Sequence, residues 1–256
     1  MANPASTASG NLVTESMTHI ATTANKQRKL LIVGGVVVLA ATLAASLYLS
    51  KRNTFRAAAA DALFHARSKL ADEMKALAPA PAPIEKDAKG KAKPAAPVPS
   101  MEFAKFDVDS KLKEGVAALQ KVAEDFPATL AGYDSKMELG ALYFDHAENP
   151  AAYERALRWF EAAGSSASTT DQTIASLYSL GYTQEALDRC ADAVKTFDRA
   201  LNSGSGPFLG ELLRAKGRCQ EKLADKAGAK ATYDSLIKQL PGTEHAKFAE
   251  MKKASL

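Results

Sequence analysis

Apolar and small positions recur along the second half of the chain at a fixed offset. Leu177, Gly181, Ala193 and Phe197 are answered 36 residues later by Leu213, Gly217, Ala229 and Tyr233. Upstream, Ala156, Phe160 and Ala163 precede Ala193, Phe197 and Ala200 by 37 residues, and Gly140 precedes Gly181 by 41. A period of this size predicts stacked helical hairpins. Leu177 and Gly181 share a helix face at i, i+4, and Ala193, Phe197 and Ala200 share a face of the next helix at i, i+4, i+7. Small residues at a crossing let two helices approach closely while an aromatic residue fills the space beside them. A glycine costs a helix roughly 0.5–1 kcal/mol relative to alanine, so its repetition at one point of each unit predicts close backbone packing. The four residues added in the earliest copy are expected in the turn Ala147-Glu148-Asn149-Pro150, where extra length costs little.

The same patterning predicts helix pairs at 129–146 with 150–164, 170–187 with 190–202, and 207–222 with 225–239. Thr170 and Asp171 are suited to cap the middle pair, Pro207 to open the last, and 244–253 to form a short polar end helix. Residues 110–126 carry Val116, Leu119, Val122 and Phe126 on one side, followed by Pro127. That segment is expected to be the second helix of a first unit. Its first helix would be 53–77, capped by Asn53 and striped by Leu63, Ala66, Leu70, Met74 and Leu77 at 3–4 spacing. The predicted fold is all-α: an α-solenoid of three to four helix hairpins over 109–256, preceded by a membrane-crossing helix.

Residues 30–49 supply that helix: 20 residues without a charge, 11 of them Leu, Ile or Val, behind Lys26, Arg28 and Lys29. At about 1.5 Å per residue they span ~30 Å, the hydrocarbon thickness of a bilayer. A cleaved signal peptide is the alternative, with Ala44-Ala45-Ser46 as its small-residue site, but Leu47-Tyr48-Leu49 carry the apolar run past it. The anchor is therefore placed at 26–52, behind a tail at 1–25 without periodicity. Ala40/Ala44 and Ala41/Ala45 either form a helix–helix seam or face lipid. Five Lys or Arg follow the span within 20 residues against three before it, which points to a cytoplasmic C-terminal side, although long domains cross largely regardless of charge. Residues 78–108 form a linker rich in Ala, Pro and Lys, read as a spacer or as a docking strip for a proline-reading domain.

Charge and composition narrow the function. Residues 1–100 hold 13 Lys/Arg and 6 Asp/Glu, a net +7, whereas residues 101–256 hold 20 and 23, a net −3. The mildly acidic repeat region carries no basic stripe, which argues against nucleic acid. The four histidines are scattered and expected on the surface; no metal-ligand spacing, P-loop, paired-carboxylate motif or nucleophile elbow is present, so no catalytic residue, metal or cofactor is expected. Cys190 opens one helix and Cys219 lies late in the next, at the same end of the stack. They are read either as a disulfide closing a loop of about 30 residues or as two small apolar core residues.

Leu139-Gly140-Ala141-Leu142-Tyr143 resembles the L-G-x-x-Y core of the tetratricopeptide repeat, and Ala156…Phe160…Ala163, Ala193…Phe197…Ala200 and Ala229…Tyr233…Pro241 resemble its second half. Lys136 stands where the pattern has Trp, Gln184 and Gln220 where it has Tyr, and Leu236 where it has the last Ala. The resemblance implies a partner-binding groove lined by the first helix of each pair, which by position holds Met137, Tyr178, Tyr182, Arg214 and Arg218; the place matching Tyr182 in the earliest unit is Ala141, so Phe144, nearly a turn further on, is the contact expected there. Aromatic and Arg residues on one face suit an interface; Arg218 paired with Glu221 and tyrosines packed between repeats are the alternative. The layout of tail, anchor, membrane-proximal helix and repeats resembles the ancillary SecYEG translocon subunit family of bacterial inner membranes. This implies a periplasmic repeat domain that contacts translocon subunits, chaperones or unfolded emerging chains. A cell-envelope assembly coordinator and a cytoplasm-facing scaffold are the other expectations.

Overall fold

The structure, a computed structural model, describes residues 8–78, 104–204 and 206–256. Among them are ten α-helices and no strand. The chain divides into two compact units, Met1–Phe55 and Arg56–Leu256.

The described residues of the first unit belong to helix α1 (Ala8–Leu77). Its apolar residues from Ile32 to Leu49 are exposed, and an 18-residue window of mean hydropathy 2.2 has none of its surface buried. This helix is long and apolar enough to cross a membrane. Two expectations are corrected here. Helical structure begins at Ala8, inside the stretch expected to be a tail, and Asn53 lies within the helix instead of capping a new one. Both follow from cooperativity: extending a formed helix through Asn or Thr costs well under ~1 kcal/mol per residue, less than ending it and nucleating another. Most of the proline-rich linker expected at 78–108 lies outside the described residues, at 79–103; its last residues are described, and Asp107 caps α2 (Val108–Lys111).

The second unit is a row of hairpins. Residues 56–77 of α1 pair with α3 (Lys113–Asp125), α4 (Leu130–Asp145) with α5 (Pro150–Ser166), α6 (Thr170–Ala186) with α7 (Cys190–Asn202), and α8 (Leu209–Lys222) with α9 (Lys226–Gln239). Helix α10 (Glu244–Ala254) packs on α9 and α8. Polar caps set the starts: Thr129, Asn149, Thr169, Asp225 and Thr243 each accept a hydrogen bond from the backbone N–H three residues on. The middle cap is thus Thr169, one residue before those expected. Pro207, expected to open the last pair, is instead the middle residue of a 3-10 turn, Gly206–Phe208, and α8 starts only at Leu209.

Three of the hairpins share one crossing. Gly140, Gly181 and Gly217 on the first helix face the rings of Phe160, Phe197 and Tyr233 on the second. A Cβ at any of these glycines would come within 3.0 Å of ring carbons. The repeated glycine therefore makes room for a ring, not for the neighbouring backbone as the period alone suggests. Tyr143, Ala156, Ala193 and Ala229 are buried around these crossings, with the three alanines fully inaccessible. Three hydrophobic clusters follow one another along the row, and Leu201 joins the second to the third. The extra length of the second hairpin is also placed differently from expectation. Pro150 lies six residues ahead of Ala156, whereas Cys190 lies three ahead of Ala193. Most of the insertion is an added turn at the start of α5, where Pro at the first position is well tolerated.

The first hairpin differs. Leu63 and Ala66 are buried and Leu70, Met74 and Leu77 half-buried against α3, as the stripe predicts. Its glycine sits on the second helix instead: a Cβ on Gly115 would meet the Leu70 backbone at 2.7 Å. Glu73 reaches across to accept hydrogen bonds from the backbone N–H groups of Glu114 and Gly115, both at 2.8 Å. Leu119, fully buried, takes the place that a ring holds elsewhere.

Departures from the repeat pattern are absorbed locally. Lys136, in the Trp position, is buried and donates to the Pro127 carbonyl at 3.2 Å, satisfying a free carbonyl just past the end of α3. Burial lowers its pKa. Gln220 is buried and accepts from the Thr232 hydroxyl at 2.7 Å, and Leu236 is fully buried. His146, expected on the surface, is buried: its ring stacks on Phe106 and its Nδ1 lies 2.7 Å from the Ala104 carbonyl oxygen.

Candidate partner-binding groove

Successive first helices are tied to one another by side chains on one face. Arg67 of α1 pairs with Glu138 of α4, the Tyr133 hydroxyl donates to the Gln172 carbonyl of α6 at 2.9 Å, and the Tyr182 hydroxyl donates to Glu211 of α8 at 3.0 Å. These links keep α4, α6 and α8 side by side, so residues a helical turn apart on each can line one surface.

Phe144, Tyr178 and Tyr182 meet there. With Ala141, Asp145 and Phe160 they surround a cleft of about 210 Å³ between α4 and α6. The Tyr178 and Tyr182 rings lie 4.7 Å apart, and Tyr182 stands edge-on to Phe197. All three side chains are half-buried, so each keeps an open face. Burial pushes the Tyr182 phenol well above its ordinary pKa, which keeps its proton on and its bond to Glu211 intact. Two neighbours were not visible in the repeat pattern. Phe208, carried by the 3-10 turn, packs on Tyr178 at 4.8 Å, and Tyr153 stands edge-on to Phe144 at 5.4 Å.

Of the remaining expected contacts only Arg218 touches this cluster, its guanidinium lying over the Tyr182 ring at 5.7 Å. Met137 packs half-buried against the first core cluster. Arg214 lies over the Phe248 ring of α10 at 4.3 Å and pairs with Glu211, which turns it to the end helix. Arg218 grips Glu185 with two bonds, Nε to Oε1 at 3.0 Å and Nη2 to Oε2 at 2.8 Å. Desolvation opposes the Arg218 charge, but these bonds outweigh it and the guanidinium pKa is raised. Its partner is therefore on the preceding hairpin, not Glu221; Glu221 instead accepts from Lys252 and Tyr233. The two arginines thus act as struts of the groove wall.

A second cleft, of about 380 Å³, opens on the second-helix side between Gln120, Tyr143, Arg155, Arg158, Trp159 and Ala162. Arg155 there is engaged by Asp109. Among the described residues no group of three or more His, Cys, Asp or Glu side chains is placed to hold a metal ion.

Residues 213–243 match the tetratricopeptide repeat. The match covers most of α8 and all of α9, the hairpin whose crossing is Gly217 on Tyr233. No curated protein and no solved structure matches the chain.

Proposed function

We propose that this chain is a membrane-anchored interaction module whose first-helix groove takes an apolar side chain from an extended segment of another protein. The observation that carries the proposal is the convergence of Phe144, Tyr178 and Tyr182 on one open cleft while the neighbouring arginines are spent on internal struts. Aromatic side chains with one free face contribute large apolar area at little entropic cost, the usual makeup of a binding hot spot. The tetratricopeptide match supports a role in protein–protein contact, and the exposed apolar span of α1 supports the anchor. The order of anchor, membrane-proximal helix and repeats favours the finer reading: an ancillary translocon subunit whose repeat domain faces the periplasm of a bacterial inner membrane and meets chaperones or unfolded emerging chains.

Titration of the full chain in lipid nanodiscs with an alkylated, permanently unfolded polypeptide tests the groove. Tyr178→Ser should weaken binding roughly tenfold or more, read well below the thermal midpoints of both chains because loss of the ring's packing on Tyr182 and Phe208 lowers the variant's midpoint. Equal affinity of the variant and the wild-type chain would overturn the proposal. Labelling of a cysteine introduced at exposed Ser168 with a membrane-impermeant maleimide on intact cells stripped of their outer membrane tests orientation: rapid labelling supports a periplasmic domain, and protection opposes it.

A further inference from the structure

Cys190 and Cys219 lie on different hairpins, yet their sulfurs are 2.8 Å apart. Both are free thiols and both are buried, 3% and 0% exposed. A disulfide needs an S–S separation near 2.05 Å, so closure requires the two sulfurs to move by only roughly 0.8 Å. We infer that Cys190 and Cys219 are a cross-linking site, oxidised to a disulfide that fastens the third hairpin to the fourth.

The position gives the bond its consequence. A solenoid is held by contacts between neighbouring repeats, and each junction can open on its own. At this junction the noncovalent ties include the Arg218–Glu185 pair, the Tyr182–Glu211 hydrogen bond, the Lys216–Asp198 pair and a hydrophobic cluster shared by the two hairpins. Cys219 adjoins Arg218 in sequence, so a bond from it to Cys190 holds α8 at the spacing those ties need. The wall of the proposed groove would then be covalently fixed, and the 29-residue separation of the two cysteines makes the closed loop long enough to constrain the unfolded chain.

The chemistry is thiol–disulfide exchange with an external disulfide as oxidant. The thiolate of one cysteine attacks the oxidant's sulfur, forming a mixed disulfide and releasing one thiol. The second thiolate attacks the protein sulfur of that mixed disulfide, releasing the second thiol. Two electrons and two protons pass from the cysteine pair to the oxidant. Burial pushes the Cys219 thiol pKa up and shields both sulfurs from an external oxidant, so reaction waits on local opening. Access comes from opening of the first turn of α7, where Cys190 is the first helical residue and the preceding Arg189 provides no side-chain cap.

The full chain in nanodiscs, equilibrated with glutathione disulfide and then denatured and alkylated, reads this directly. The expected product is a monomer in which neither cysteine takes alkylating reagent and whose mass is lower by two hydrogens. Its thermal midpoint should rise by roughly 5–10 °C over the reduced chain and return on reduction. Cys190→Ala should abolish the rise. Two alkylated thiols after equilibration, glutathione adducts on single cysteines, or an intermolecular bond would each overturn the inference. So would a disulfide that leaves the midpoint unchanged. The thiol count is made on the wild-type chain, so the outcome stands even if the alanine variant folds poorly.

Discussion

The first hairpin and the three that follow close the same kind of helix crossing with the glycine on opposite partners. In the later hairpins Gly140, Gly181 and Gly217 sit on the first helix and admit a ring from the second. In the first, Gly115 sits on the second helix and admits the backbone of Leu70, while Glu73 clamps the start of α3. A ring can be trimmed or turned, but a backbone cannot. The later crossings are therefore set by a side-chain pair and the first by the approach of two main chains, with a polar clamp to fix its register.

The largest effect should come from filling a ring-type crossing. Gly181→Val forces the Phe197 ring out of its seat and should cost about 3 kcal/mol in denaturant unfolding. The milder Gly181→Ala should be partly rescued by Phe197→Leu, which removes the ring atoms nearest the added Cβ. Gly115→Ala should have no such partner: shortening Leu70 leaves its Cα in the way. Rescue of both, or of neither, would dissolve the distinction.

Next in size, Arg218→Ala leaves Glu185 in place with only 13% of its side chain exposed and should cost about 2 kcal/mol, with most of it recovered by adding Glu185→Gln. Glu73→Ala should cost about 1 kcal/mol, with hydrogen exchange quickening at Glu114 and Gly115 but not at the starts of α5 or α7. The smallest effect is on alkaline stability. Burial pushes the Tyr133 phenol up to about 12 from 10.0 in the unfolded chain. The folded state therefore holds this proton where the unfolded state has lost it. Its contribution is complete below pH 10 and is lost as pH rises through about 12. Tyr133→Phe should flatten that part of the pH–stability curve.

The comparison also explains what the sequence made legible. The glycine–ring pairs recur at 36 to 41 residues, so the three later hairpins could be read to within a few residues of their ends. The stripe from Leu63 to Leu77 betrayed the first helix of the first hairpin, but its glycine had moved to the partner helix and no period could reveal it. Tyr178 and Tyr182 could be placed on the groove face by repeat register, and Phe144 only by moving nearly a turn past Ala141, the register position, which also lines the cleft. Phe208 could not, because the 3-10 turn before α8 takes it out of helical register. Arg218 was legible as a groove-facing residue but not as a strut. Its partner Glu185 lies 33 residues away on another hairpin, while Glu221, three residues on, offered a simpler pairing. Helix α10 shows the register persisting past the last full hairpin: Ala249 stands 36 residues after Leu213 and is fully buried. Its opposite face carries exposed Glu244, Lys247 and Glu250.

The central claim is that a partner docks on the first-helix face and not on the cleft beside Trp159. Site-specific photocrosslinking in the membrane tests it most directly, with a photoreactive residue at Tyr178 in one chain and at Arg158 in another. A titratable unfolded polypeptide should crosslink at 178, compete with unlabelled polypeptide, and give only background at 158. Adducts of equal yield at both positions, or at 158 alone, would contradict the account.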